Sequence, residues 1–255
     1  MFKKSMNLVL MVAIVFGAIS TVNAQEDDKS YNMYESVMLT PDNTKLKALG
    51  EAMRNHNEKY HKEGIHKANV FMINSGPNSG KIIWDMGPTM FKHLDTRPAE
   101  GGHDEDWRDN VMSNIKRINT IEYWRQNDKL SNVDMLDGDA SKYPILFVRY
   151  SEISDDAHSL NDLFEKVSKT IKAMEGENPW GLYYNMFRQG DLGRHVATVS
   201  FYKNWTDFDE NRKFKEAFLK VNGENSWGNF QDTLDATFSN SWDEIWVYNK
   251  YMSGQ

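Results

Sequence analysis

One helical pattern occurs twice in this chain, and that repetition restricts the folds open to it. Leu46, Leu49, Met53, His56 and Tyr60 follow at alternating steps of three and four, so a helix over 42–61 carries all five on one face. Displaced by 114 positions, Leu160, Leu163, Val167, Thr170 and Met174 repeat those steps on a second helix, over 158–175. The same displacement pairs the run 69–76 with the run 183–190, each aromatic or apolar and each ending in Gly. Insertions then shift the register: Trp107 matches Trp227 at 120 positions, and Glu122-Tyr123-Trp124 matches Glu244-Ile245-Trp246 at 122. A self-similar unit of this kind covers its apolar face by packing on its copy.

Each half reads as strand, helix, strand, strand, helix, strand. The first half places strands over 31–39, 68–75, 81–86 and 119–126, with helices over 42–61 and 104–116. The second places strands over 144–151, 181–188, 194–203 and 241–249, with helices over 158–175 and 208–238, the last interrupted near Gly223. The central strands of each half are joined by Gly76-Pro77-Asn78-Ser79-Gly80 and by Gly190-Asp191-Leu192-Gly193, both turn signals. This is the order of a ferredoxin-like βαββαβ unit. Its antiparallel sheet carries helices on one face only, so the other face must be covered, and two copies in one chain cover each other. The run 143–150 has apolar or aromatic residues on both parities, as a strand buried on both faces requires.

These features resemble the dimeric alpha/beta-barrel superfamily in tandem-duplicated form, the group of antibiotic-biosynthesis-monooxygenase-like, haem-degrading and chlorite-dismutase-like proteins. The resemblance spans about 31–250 and rests on element order and duplication; no catalytic motif of the group is present. It implies an α+β fold of two fused ferredoxin-like repeats, 25–126 and 143–255, joined by a linker over 127–142. Members include cofactor-free oxygenases and haem proteins, so the fold alone selects no activity.

The first 24 residues read as a signal peptide. Lys3 and Lys4 precede the apolar run 8–16, and Val22-Asn23-Ala24 supplies a small-residue cut before Gln25. That run is shorter than the roughly 20 residues a membrane span needs, so the mature chain is expected to be periplasmic or secreted, without stable membrane insertion. With no cysteine, disulfides, thiolate catalysis and thiolate metal ligands are closed. The excess of 37 acidic over 30 basic residues, with no dense basic tract, argues against nucleic-acid partners. A monomeric pseudo-dimer or a homo-oligomer is expected.

Three histidines are the candidate catalytic groups: His56 on the helical stripe, His93 in the crossing between strands, and His195 in the second half. His61, His66, His93 and His103, with Asp95, Asp104 and Asp106, could offer metal ligands. Their spacing fits no compact ligand motif, and no metal site is assigned; the acidic run 104–106 reads instead as the start of a helix. Covalent haem is excluded by the lack of Cys, while noncovalent haem on His or Met is admitted. Ligand-binding candidates are Trp84, Tyr34, Thr170 and Arg149. Most of the eight tryptophans are expected in the core, with Trp107, Val111 and Ile115 forming one packing stripe and Trp227, Phe230, Leu234 and Phe238 another. Glu122 and Glu244 hold equivalent positions, as do Glu35 and Arg149, and either pair could meet across the copies. The expected function is binding of a small apolar or aromatic ligand in a pocket; the alternative is a cofactor-free or haem-dependent oxidoreductase.

Overall fold

The computed structural model describes residues 30–154, 159–190, 193–210 and 212–255. The segment read as a signal peptide lies outside the described residues, as does His158. Among the described residues no helix is long and apolar enough to cross a membrane.

Eight antiparallel strands close into one barrel. In chain order they are β1 (Met33–Pro41), β2 (Ala68–Ser75), β3 (Ile82–Thr89), β4 (Ile115–Gln126), β5 (Ile145–Ile153), β6 (Trp180–Asn185), β7 (His195–Tyr202) and β8 (Phe238–Tyr248). Around the barrel they run β1-β3-β2-β8-β5-β7-β6-β4. The first four therefore lie in the order β4-β1-β3-β2 and the last four in the order β8-β5-β7-β6. The β2–β8 and β4–β6 pairings close the ring within one chain, leaving no sheet edge exposed. The helices α1 (Leu46–Tyr60), α4 (Leu160–Ala173), α5 (Phe214–Asn222) and α6 (Ser226–Thr237) pack on the outside, with two short turns, α2 (Phe91–Leu94) and α3 (His103–Asp106), in the β3–β4 crossing.

Strand alternation sends side chains to two kinds of core. On β1, Val37 and Leu39 face outward and pack with Leu49 and Met53 of α1, while Met38 points into the barrel. Phe71, Ile83, Trp124, Leu146, Val148, Tyr150, Ala197, Val199 and Trp246 share that inner face. The outer face of the second half is covered by Phe164, Ile171, Phe218 and Phe230.

Two elements depart from the sequence reading. The single helix expected over 104–116 is instead α3, a π turn over Trp107–Val111 and a 3-10 turn over Met112–Asn114, after which β4 begins at Ile115. Asn114 and Ser113 side chains donate to the carbonyl of Asn110, local bonds that compete with a continuing α-helix. Val111 is still buried, with Trp107 and Ile115 packed around it. The helix expected over 208–238 begins only at Phe214, and its expected interruption near Gly223 is present: the positive φ of 104° at Gly223 ends α5 before α6.

Residues 127–142 pack against the barrel. Leu130 is buried, and Ser131 Oγ accepts from the backbone N–H of Leu182 at 3.0 Å. Residues 133–140 lie over one end of the barrel, where they form the rim of the cavity described next.

Candidate functional site

The barrel interior is not filled. A cavity of about 480 Å³ is lined by Tyr34, Ser36, Phe71, Asp85, Trp124, Leu146, Val148, Tyr150, Tyr183, Ala197, Val199, Phe201 and Trp246. Strand register creates the space. Ala197 stands between Tyr183 on β6 and Tyr150 on β5, so a methyl group occupies the centre of a row whose flanks are aromatic rings. On the opposite wall Tyr34 is paired with Trp124, and its ring meets Tyr183 edge-on at 5.7 Å. Gly87 leaves room for that ring, since a Cβ there would lie 2.8 Å from it.

Several polar residues interrupt the aromatic lining, among them Ser36, Asn69 and Gln126, and on the inner face Asp85 stands opposite Ser36 in the β1–β3 pairing and accepts the Ser36 hydroxyl. Burial pushes the Asp85 carboxyl up to about 6, against the lowering effect of the serine bond; the charge of Glu35 adds to the rise. Burial also raises the Tyr34, Tyr150 and Tyr183 phenols, which stay protonated near neutrality and can donate hydrogen bonds. The cavity therefore offers flat apolar walls, neutral phenol groups and one carboxyl poised near neutral pH.

A second cavity, of about 750 Å³, lies outside the barrel between the sheet of the second half and α4 and α6. Phe147, Phe164, Trp180, Phe214 and Trp227 line it, along with Arg149, whose guanidinium bonds Asp243 at 2.7 and 2.8 Å. In the first half the corresponding layer is closed by the α1 core.

The residues singled out from the sequence are dispersed. Tyr34 lines the barrel cavity and Arg149 the outer one. Trp84 lines neither: it is buried under α1, and its Nε1 donates to Asn57 Oδ1 at 2.9 Å. Thr170 is fully buried and donates to the carbonyl of Lys166, the fourth residue before it in α4. His56, its counterpart on α1, is also fully buried, with Nδ1 at 2.7 Å from Asp106 Oδ2. His93 is half-buried in α2, where its Nδ1 accepts from the Met90 backbone N–H at 3.2 Å. His195 is buried at the barrel wall among Trp124, Tyr150 and Trp242, 3.4 Å from Glu122.

The proposed cross-copy pairs do not form. Glu35 is paired with Arg97, while Arg149 is paired with Asp243. Glu122 accepts from Asn185, and Glu244 from Asn78 and Trp246. Asp104 and Asp106 hold histidine rings, and the N-cap of α3, Gly102, makes no side-chain capping bond.

His103 is not in a solvated loop. It is buried against His61, with the two Nε2 atoms 3.0 Å apart. The signal missed was Gly101-Gly102, both left-handed at φ of 73° and 82°, which turns the crossing back onto the end of α1. Asp85 was missed because its strand run is otherwise apolar and it matches no motif.

The three candidate histidines do not present themselves to haem in either cavity. None of His56, His93 and His195 lines either cavity, and the outer cavity, the larger of the two, is lined by no histidine among the described residues. An axial nitrogen is therefore not presented to a haem-sized space.

The sequence matches no protein-family model and no curated protein. Its architecture does match solved structures. It is similar to an anthrone oxidase-like protein with a TM-score of 0.55 and 12% identity, over 87% of this chain and 92% of that one. It is similar also to a monooxygenase candidate from Fusobacterium nucleatum subsp. nucleatum with a TM-score of 0.54 and 7% identity, over 87% of this chain and 94% of that one. At these identities the likeness is one of fold. The chain shares with these structures an α+β fold, here with a closed eight-stranded antiparallel barrel completed inside a single polypeptide.

Proposed function

We propose that the protein binds a small planar aromatic ligand carrying a hydroxyl group inside its barrel. The observation that carries this reading is Asp85, a carboxyl pushed up to about 6 beside the aromatic walls of a cavity of about 480 Å³. A volume in that range suits a ligand of two or three fused rings. The walls of Tyr34, Trp124, Tyr183 and Trp246 offer stacking surface, and the ligand hydroxyl donates to the Asp85 carboxylate. The test is titration of the purified protein with 2-naphthol, followed by tryptophan fluorescence. Saturable one-to-one quenching, weakened about tenfold in Asp85→Asn, supports the reading; absence of saturation overturns it.

A second reading, cofactor-free monooxygenase-type chemistry on the same ligand, is supported by the fold shared with an anthrone oxidase-like protein. An acid group with a pKa near 6 suits proton abstraction at neutral pH. Asp85 would take the phenolic proton, the adjacent ring carbon would bond dioxygen to form a hydroperoxide, and loss of that carbon's proton with cleavage of the O–O bond would leave the quinone and water, so that one oxygen atom enters the ligand, the other leaves as water and the ligand supplies the electrons. Oxygen uptake that depends on 2-naphthol and is lost in Asp85→Asn supports this second reading.

The matching orders β4-β1-β3-β2 and β8-β5-β7-β6 support reading the chain as two fused ferredoxin-like repeats, 25–126 and 143–255, bridged by 127–142. The segment 1–24 supports export to the periplasm or the medium, and closure of the barrel within one chain supports a monomeric pseudo-dimer.

A further inference from the structure

Three histidines of the first half meet on the outside of the barrel, away from its cavity. His56 comes from α1, His61 from the turn after it and His103 from α3, and one ring nitrogen of each lies within 4.8 Å of the others. All three side chains are buried. In every ring Nδ1 is already committed. It faces Asp106 Oδ2 at 2.7 Å in His56, the His66 carbonyl at 2.7 Å in His61, and Asp104 Oδ1 at 2.7 Å in His103. Carboxylate and carbonyl oxygens accept hydrogen bonds, so each Nδ1 carries the proton and each neutral ring is left with a lone pair on Nε2.

Those lone pairs have nothing to receive them. The Nε2 atoms of His61 and His103 are 3.0 Å apart, and His56 Nε2 is buried without a hydrogen-bond partner. Two lone pairs at that separation repel unless a proton or a metal ion lies between them. A proton would serve one pair, leave the His56 nitrogen bare and place an imidazolium among Tyr60, Trp84 and Trp107, whose rings pack on the three histidines at centroid distances of 5.0 to 5.1 Å. A divalent ion satisfies all three nitrogens together.

We propose that His56, His61 and His103 bind a divalent transition-metal ion of the zinc class. Imidazole nitrogen suits such ions, and the outward bonds to Asp104, Asp106 and the His66 carbonyl are the supports that orient metal-bound histidines and raise their basicity. A tetrahedral ion about 2.1 Å from each nitrogen requires them about 3.4 Å apart, which a ring movement of roughly 1 Å supplies. No fourth His, Cys, Asp or Glu joins the cluster among the described residues, so the remaining position falls to water or a small anion. The ion would tie the end of α1 to the β3–β4 crossing and stabilise the folded chain by mass action.

The test uses the full mature chain without a histidine tag, stripped with chelator and titrated with zinc, and in parallel with cobalt to read the visible bands of a nitrogen-bound ion. The expected result is one equivalent bound, visible cobalt bands and a higher melting temperature with zinc. His103→Gln should lower affinity at least 100-fold, and His93→Gln should leave it unchanged. Asp104→Asn removes a support whose carboxylate is exposed and should weaken binding about 10–100-fold with an unchanged circular dichroism spectrum. If His103→Gln does not fold, the cobalt spectrum of the unaltered chain and the Asp104→Asn titration decide. Absence of one-equivalent binding and cobalt bands in the unaltered chain, or equal affinity in folded His103→Gln, overturns the proposal.

Discussion

Ser36 and Asp85 stand opposite each other on neighbouring strands, and the serine hydroxyl donates to the aspartate on the inner face of the barrel. The bond favours the charged carboxylate while the surroundings disfavour it, and the surroundings prevail. A lone serine does not offset the loss of water around a carboxylate enclosed by aromatic rings. The site thus holds an acid that is ordinarily ionised in a state that titrates close to neutrality.

This has a consequence for stability. An acid whose folded pKa of about 6 exceeds its unfolded value of 3.8 adds stability that is complete below about pH 4 and is lost as pH rises through 6. At pH 7.5 the charged Asp85 should cost on the order of 3 kcal/mol. Asp85→Asn should therefore be more stable than the unaltered chain at pH 7.5, and the difference should shrink by pH 4.5. Urea unfolding at the two pH values measures it.

Asn57 connects three separate parts of the chain. Its side chain accepts from Trp84 Nε1 at 2.9 Å and donates to the Met252 carbonyl at 2.8 Å, tying α1 to β3 and to the C-terminal turn. Asn57→Ala leaves a buried indole N–H and a buried carbonyl without partners, and should cost about 2–4 kcal/mol in urea unfolding. A loss below 0.5 kcal/mol would contradict that role.

The strand and helix order was legible because periodicity reports which faces are buried, and the barrel buries both faces of its sheet. Tyr150 and Arg149 show how this works: adjacent on β5, one joins the inner cluster and the other reaches the outer cavity. The histidine cluster was hidden because His61 and His103 are 42 positions apart and meet only through the turn at Gly101-Gly102. His56 was visible on its stripe, but its partner Asp106 lies 50 positions away in a run that reads as an ordinary acidic helix start. Asp85 was hidden for a different reason: one polar residue in an apolar strand says nothing of the space beside it. That space comes from Ala197 on β7, four strands round the barrel from β3.

The export reading makes a simple prediction about the mature chain. Protein recovered from the periplasm or medium of an expressing bacterium should begin at Gln25 on N-terminal sequencing. A chain recovered from the cytosol with its first 24 residues intact would contradict it.

Filling the barrel interior with an apolar side chain tests it as the ligand site without altering Asp85. Ala197 lies between Tyr150 and Tyr183, so Ala197→Phe should occupy the space a bound ring would take. Calorimetric titration with 2-naphthol should show one-to-one binding to the unaltered chain and at least a 30-fold loss in a folded Ala197→Phe. Equal binding by the two proteins would place the ligand outside the barrel.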